Sequence, residues 1–489
     1  MIDGQTNIFE MLYPTYKITK PIRLIEFFAG YGSQALALKY LGVEFEHWKI
    51  CEWAVKSIQA YKDIHFNNKE SHLADNMTKE ELVDCLVKLG ISSNYNEPMS
   101  KQQIERLSET SLKTIMNNII ITNNQVNIQQ VKGTDLEIVD TDKYDYILTY
   151  SFPCQDLSLA GKGKGMSDTS TRSGMLWEVE RILTECKELG TMPQVLLMEN
   201  VPQVHGADNV EDFNKWQLRL EELGYKNYWQ DLIATDYGIP QTRNRTFMVS
   251  ILGDYNYIFP KPIPLKLKLK DMLEDNVDDK YYLSDKTLEQ ISNWKSYQNP
   301  LDSVMGKESI SPTITTRIAE SQDGGINASM KVYCDELNKT TNLRIKNATQ
   351  KGYLEATDGD GIDLAQPNSE TRRGRVQKEA IQTLTTQNNL GVVTIGNYSP
   401  SNHNASRIVD QDHYSPTVME NHGTITATQT SDLRIRKLTP RECFRLMSVK
   451  DEDFDKVAKN QSDSSLYHLA GDSIVVNVLI AIFKEMIEW

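Results

Sequence analysis

A chain of 489 residues is long enough for two or three domains with sizeable cores, and 39% hydrophobic with 25% charged residues excludes a disordered or fibrous polymer. Lysine and arginine number 53 against 67 aspartates and glutamates; the net charge of −14 speaks mildly against a polyanionic partner, but not against a locally basic groove. Six cysteines, at positions 51, 85, 154, 186, 334 and 443, lack CxxC spacing and point to reduced thiols rather than a disulfide framework or a zinc site.

The opening MIDGQTNIFEM has neither the basic start nor the apolar core of a signal peptide, and the apolar run near Ile474 to Phe483 is short for a membrane span, so a cytoplasmic location is expected. IRLIEFF followed by SQALALKYL predicts a strand and a helix joined by a glycine turn. In that turn Gly30 and Gly32 allow close backbone approach to a ligand, and Ser33 stands where exposed helix amides favour an anion. Such turns are as often structural as functional. Here the next strand, FEHWKI, is followed by Glu52, placed as the acid that accepts hydrogen bonds from ribose hydroxyls, and the pair points to a nucleoside cofactor.

A polar insertion occupies about 62–132 and predicts two helices, opened by capping boxes of Thr78 with Glu81 and Ser100 with Gln103. Ile104, Leu107, Ile115 and Ile119 keep helical spacing in the second, and the segment is expected to pack outside the sheet without chemistry of its own. The alternation then resumes: YDYILTY with GMLWEVERIL, QVLLMEN with FNKWQLRLEELG, then TFMVSIL. This is the pattern of a parallel sheet flanked by helices, whose ligands lie at the carboxyl ends of the strands, where FAGYG, SFPC and MENV all fall.

Cys154 ends a strand behind Pro153 and precedes a loop carrying Lys162, Lys164 and Arg172. A lone buried cysteine is usually an inert small hydrophobe; a thiol at the ligand edge, beside cations, is poised as a thiolate nucleophile. Glu199, at the end of a buried strand, needs either a salt bridge to an arginine or a task such as proton donation. Arg243 and Arg245, two apart at a strand start, share a face and suit a carbonyl or a phosphate.

After FPKPIPLKLKLKD the texture turns to short threonine- and glycine-rich pieces, which sets a second domain at 262–435. SPTITT, IQTLTT and SPTVME form a loose internal echo, too unevenly spaced for a solenoid. From RKLTPRECFRLM helical periodicity returns, and 436–489 is expected to rejoin the first domain.

In order, FAGYG, Glu52, FPCQDLS, TRSGMLWEVERIL, MENV, QTRNR, RKLTPRECFRLM and GDSIVVNVL resemble the motif set of the DNA cytosine-5 methyltransferases, and the catalytic stretches are particularly similar to bacterial members acting on CpG, a hint and not an assignment of target sequence. The resemblance spans the chain apart from 62–132 and 262–435; the latter is, in the family, the variable target-recognition domain. It implies an α/β fold: a Rossmann-like, S-adenosylmethionine-dependent methyltransferase domain over 1–261 with a mostly parallel sheet, plus a smaller, irregular β-rich target-recognition domain. It further implies methyl transfer from S-adenosyl-L-methionine to C5 of a cytosine flipped out of double-stranded DNA, with Cys154 attacking C6, Glu199 at N3, and Arg245 with Arg243 at the base carbonyl. Phe28, Gly30, Gly32, Glu52, Trp53, Asp135, Pro153, Leu176, Asp472 and Ser473 would hold the cofactor. Gln155, Ser158, Lys162, Lys164, Arg172, Arg317, Arg375 and Arg407 would contact DNA. A monomer of a prokaryotic or phage-infected cell, serving restriction-modification and using neither metal nor membrane, is the expected setting. The chain departs from the family at Gly471-Asp472-Ser473, where Gly-Asn-Ser is usual: aspartate accepts hydrogen bonds but cannot donate as the amide does. Two other readings are an RNA cytosine-5 methyltransferase, disfavoured by the length of 262–435, and a non-catalytic DNA-binding relative, disfavoured by Cys154, Glu199 and Arg245 occurring together.

Overall fold

Three of the apolar runs become β1 (Ile22–Phe27), β3 (Asp145–Tyr150) and β4 (Val195–Asn200), buried at every residue, as parallel strands covered on both faces must be. The computed structural model describes residues 13–152, 173–241, 243–267, 269–281 and 439–487, with the backbone of nine short strands between 343 and 437. The six-stranded sheet has the order β2-β1-β3-β4-β6-β5, where β2 is Phe45–Cys51, β5 is Tyr225–Ile233 and β6 is Asn244–Leu252. Strands β2, β1, β3 and β4 run parallel; β6 is antiparallel to both β4 and β5. The expectation of a mostly parallel α/β sheet is met. Reversal of β6 brings its amino end, with Asn244 and Arg245, to the edge where β4 ends: Asn200 pairs with Thr246 and Glu199 with Phe247.

Helices α1 (Ser33–Leu41), α2 (Val55–His65), α6 (Leu176–Leu189) and α7 (Val210–Leu223) alternate with the strands. Glycines 42, 190 and 224 close three of these helices with positive φ, the conformation a side chain resists. A core of β1, β3, β4, α6 and α7 residues is centred on Tyr150 and Trp216, whose rings meet edge to face at 6.0 Å. Edge strand β5 has no counterpart among the sequence expectations, because its YKNYWQDLI is polar and half-exposed, without the apolar run of its neighbours.

The insertion differs from its expectation in two ways. Thr78 and Glu81 do cap a helix, α3 (Lys79–Leu89), and Ser100 with Gln103 caps another, but the latter, α4 (Lys101–Glu105), stops after five residues. Ser108 then accepts a hydrogen bond from the Ser111 amide and starts α5 (Glu109–Ile121), so the single apolar stripe belongs to two helices. These helices do not simply cover the sheet. They form a core of their own with Leu82, Leu86, Ile104, Leu112 and Ile115, onto which Trp53, Val55 and Ile58 pack, and they are bonded to the end of β2. Ser92 N–H donates to Trp53 O at 2.8 Å, and Gln125 N–H to Ile50 O at 2.8 Å.

The chain divides into two units, one of 1–237, 244–264 and 447–489, the other of 238–243 and 265–446. In the first, α9 (Asp451–Ala458), α10 (Asp463–Asp472) and α11 (Val476–Met486) return to the sheet. Asp453, fully buried, is gripped by Lys39 at 2.6 Å and the Tyr40 hydroxyl at 2.9 Å. Burial would raise its carboxyl, but these donors hold it below the usual carboxylate range. The stretch Asp463–Met486 is long and apolar enough to cross a membrane, yet 78% of its apolar window is buried within the protein. In the second unit, α8 (Pro440–Leu446) opens with a reciprocal Thr439–Glu442 cap, and Glu274 binds Arg441 at 3.1 Å. The short strands pair as Leu343–Lys346 with Tyr353–Ala356, as Gly361–Asp363 between Arg375–Gln377 and Leu390–Val392, and as a four-stranded set from Gly396–Asn397 to Ile435–Lys437.

Candidate active site

At the end of β1 the backbone turns through three positive-φ residues, Phe28 (56°), Gly30 (54°) and Gly32 (83°). At Gly32 a Cβ would stand 2.4 Å from His65 Nε2 and 2.7 Å from a Tyr61 ring carbon, so glycine is required by contact as well as by conformation. At Gly30 a Cβ would meet nothing within 4 Å, and the turn is open on that side.

Glu52 follows β2 with both carboxylate oxygens engaged by backbone: Gly30 N–H donates to Oε2 at 2.9 Å and Ala54 N–H to Oε1 at 2.8 Å. Its own amide donates to Asn124 Oδ1 at 3.0 Å, and Asn124 Nδ2 donates back to Glu52 O at 2.8 Å. Burial pushes the Glu52 carboxyl up to about 7 against the pull of its two amide donors, and the charge of Asp472 pushes the same way. A carboxylate accepts about four hydrogen bonds, so two lone pairs remain for hydroxyls such as those of a ribose. The open glycine turn and this acid fit an adenosyl cofactor.

Trp53 packs half-buried on the insertion core. Asp135 lies in a 3-10 turn, Gly133–Leu136, where its Oδ2 accepts from the Lys132 amide at 2.8 Å. Leu176 is fully buried in the main core at the start of α6. Ser473 joins the C-terminal helices to the glycine turn: Tyr31 Oη donates to its Oγ at 2.7 Å, and its hydroxyl donates to Ala470 O at 2.9 Å. Asp472, the last residue of α10, has a side chain 43% exposed, 3.0 Å from His468 Nε2.

Farther along the same edge, Glu199 is held on both oxygens. Arg245 Nε lies 3.1 Å from Oε1, and Ser151 Oγ donates to Oε2 at 2.5 Å. Asn200 Nδ2 donates to Phe152 O at 3.0 Å, which ties the end of β4 to the residue before Pro153. Of the two readings of Glu199, the salt bridge to an arginine is the one present in the structure. Arg243 is buried just before β6, and by contact it belongs to the second unit. Pro153, Cys154, Gln155, Ser158, Lys162, Lys164, Arg172 and Arg317 lie outside the described residues, as do the side chains of Arg375 and Arg407.

Several residues at this edge were not singled out from sequence. Glu26, fully buried, accepts from Tyr61 Oη at 2.5 Å and the Ala35 amide at 3.2 Å, and burial pushes it up to about 7. Its signal was a charge inside an apolar strand. Asn124 and Ser151 carried no local signal, since their partners are 72 and 48 residues away. Among the described residues no group of His, Cys, Asp or Glu is arranged to hold a metal ion.

A mostly parallel sheet with an open glycine turn after its first strand, a buried acid after its second and an arginine-held carboxylate at the end of β4 defines an α/β fold whose turn and acid fit an adenosyl cofactor. Solved structures share the fold, among them the S. pombe Dnmt2 methyltransferase (TM-score 0.50, 13% identity, 94% of this chain and 96% of that one). The Entamoeba histolytica methyltransferase EhMeth is comparable (TM-score 0.51, 12% identity, 96% and 98%). The model of the C-5 cytosine-specific DNA methylases matches residues 108–488, and the chain belongs to that family. The type II methyltransferase M2.ScrFI of Lactococcus lactis subsp. cremoris is 29% identical over 468 residues, covering 95% of this chain and 99% of that protein. The orphan methyltransferase M.SssI of Spiroplasma monobiae is 36% identical over 286 residues, 58% and 73% of the two chains. The protein is a DNA methyltransferase that acts at cytosine C5, with S-adenosyl-L-methionine as methyl donor.

Proposed function

We propose that the protein methylates a cytosine flipped out of double-stranded DNA, through a covalent bond between Cys154 and C6 of the base. The observation that carries this reading is the Glu199 carboxylate, held by Arg245 and Ser151 on a strand neighbouring the one that leads into Phe152-Pro153-Cys154. The Cys154 thiolate adds to C6, and the displaced electron pair moves through C5 toward N3 and the carbonyl. Glu199, in its protonated form, gives its proton to N3 so that charge does not accumulate on the ring; Arg245, with Arg243, meets the carbonyl side. S-adenosyl-L-methionine, when bound, would supply an electrophilic methyl, so that a C5–methyl bond forms as the methyl–sulfur bond breaks to give the neutral thioether. C5 then loses its proton to a base, the C6–S bond breaks, and the thiolate is restored.

Glu52 holds the cofactor's hydroxyls, the turn from Phe28 to Gly32 receives its backbone-facing part, and Trp53, Asp135, Pro153, Leu176, Asp472 and Ser473 complete the site. Residues 262–435 serve as the target-recognition domain, with Arg317, Arg375 and Arg407 among its DNA contacts; Gln155, Ser158, Lys162, Lys164 and Arg172 meet the substrate from the loop after Cys154. The enzyme acts as a monomer in the cytoplasm; its setting in a bacterial or phage-infected cell is supported by relatives from Lactococcus, Spiroplasma and Bacillus phage SPR.

The test is transfer of labelled methyl to duplex DNA and to tRNA by the parent and by Cys154→Ser. The parent labels duplex DNA and the variant falls at least a thousandfold, the scale on which nucleophile loss is felt. Equal labelling by both proteins rules out the covalent route, and preference for tRNA rules out the substrate. Duplexes carrying 5-fluorocytosine, which cannot release a proton from C5, should trap the parent but not the variant.

A further inference from the structure

The insertion reaches the cofactor side of the sheet through its loop 92–97, and that loop carries a residue in an unusual position. Ser92 is bonded on both sides of the strand end that bears Glu52: its amide donates to Trp53 O at 2.8 Å, and its carbonyl accepts from Val55 N–H at 2.9 Å. The loop is braced internally, with Ser92 Oγ donating to Glu97 O at 2.7 Å and Asn94 Oδ1 accepting from the amides of Asn96 and Glu97 at 3.0 and 3.2 Å. Between these braces Tyr95, with φ of 62°, lays its ring against His468, the centroids 3.8 Å apart and the planes tilted by 42°. His468 Nε2 in turn lies 3.0 Å from Asp472 Oδ2.

We propose that the loop 92–97 forms part of the cofactor-site wall, and that Tyr95 and His468 are positioning residues for Asp472, fixing the carboxylate that stands where the family usually has an amide. The inference rests on the cofactor reading given above. Asp472 can only accept hydrogen bonds, so it serves a cationic or hydroxyl group of the cofactor when its orientation is set, and an unrestrained aspartate at a helix end would spend its time in solvent. The Nε2 edge of the imidazole stands 3.0 Å from the carboxylate, and the Tyr95 ring packed against the imidazole restricts its rotation away. The electrostatic influence of Asp472 on Glu52 is independent support, since it puts the two carboxylates within range of one site. An asparagine at 472 would need less of this support, because its amide carries no charge to orient or offset.

The experiment measures equilibrium binding of S-adenosylmethionine and S-adenosylhomocysteine by calorimetry, on the full-length protein without DNA, for Tyr95→Ala and His468→Gln, each with and without Asp472→Asn. Each single variant should weaken S-adenosylmethionine binding about tenfold with aspartate at 472 and less than about twofold with asparagine there. Thermal melting accompanies each variant; where His468→Gln melts early, the decision falls to Tyr95→Ala, whose loop lies outside the insertion core. Equal weakening in both backgrounds reveals a merely structural role and overturns the proposal, as does no weakening in either. A parent protein that binds neither compound overturns the cofactor reading itself, which is a different failure from binding without coupling.

Discussion

Glu52 and Glu199 are both buried acids at the carboxyl ends of strands in one sheet, yet their surroundings are opposite. Glu52 is satisfied by backbone amides, Gly30 and Ala54, with no ion pair among the described residues, and burial drives its carboxyl up to about 7. Glu199 is satisfied by side chains, Arg245 and Ser151, one of them charged. Burial with neutral donors pushes the Glu52 carboxyl up to about 7, which suits neutral hydroxyl partners; at Glu199 a guanidinium and a hydroxyl hold the two oxygens in one orientation. The position in the fold is shared, and the neighbours decide what each acid does.

The comparison breaks most visibly at Arg245. Arg245→Leu should cost about 3–5 kcal/mol of stability by leaving Glu199 buried without its cation, and Glu199→Gln in the same chain should recover most of that loss but no activity. Urea unfolding of the parent and the two variants measures it, and full stability in Arg245→Leu alone would mean the pair contributes nothing. A pH series sharpens the other side. The folded carboxyls of Glu52 and Glu26 titrate near 7, against an ordinary value of 4.5. Their protonated forms therefore favour the folded state: the contribution is fully present below pH 4.5 and lost as pH rises through about 7. The cofactor-free protein should lose about 3 kcal/mol per group between pH 4.5 and pH 8, and Glu52→Gln should remove one share of that slope. The smallest effect is expected from Ser151→Ala, about 2 kcal/mol or less in the same unfolding assay, because Arg245 still holds the other oxygen of Glu199.

How much of this was legible in the sequence follows from where each signal is stored. Strands β1, β3 and β4 announce themselves because burial on both faces demands unbroken apolar runs, and Glu52 and Glu199 stand out because each acid closes such a strand or its neighbour. Strand β5 did not, since an edge strand needs no apolar run. The break between α4 and α5 escaped because Ser108 interrupts a stripe whose apolar spacing continues across it. Asn124, Ser151 and the Tyr95–His468 contact depend on strand order and on the return of the C-terminal helices, which no local pattern encodes. The insertion looked like a surface decoration for the same reason: its bonds to β2 join segments that only the folded sheet brings together.

The reversed strand β6 has a further consequence, for how the chain finds its fold. Arg245 sits at the beginning of its strand and Glu199 at the end of the strand beside it, so they meet only when β4 and β6 are aligned as Glu199 with Phe247. A slip of one residue would turn Arg245 to the opposite face and leave Glu199 buried without its cation, a costly arrangement. The ion pair thus favours the observed strand alignment, and acts as a checksum on it before any substrate arrives.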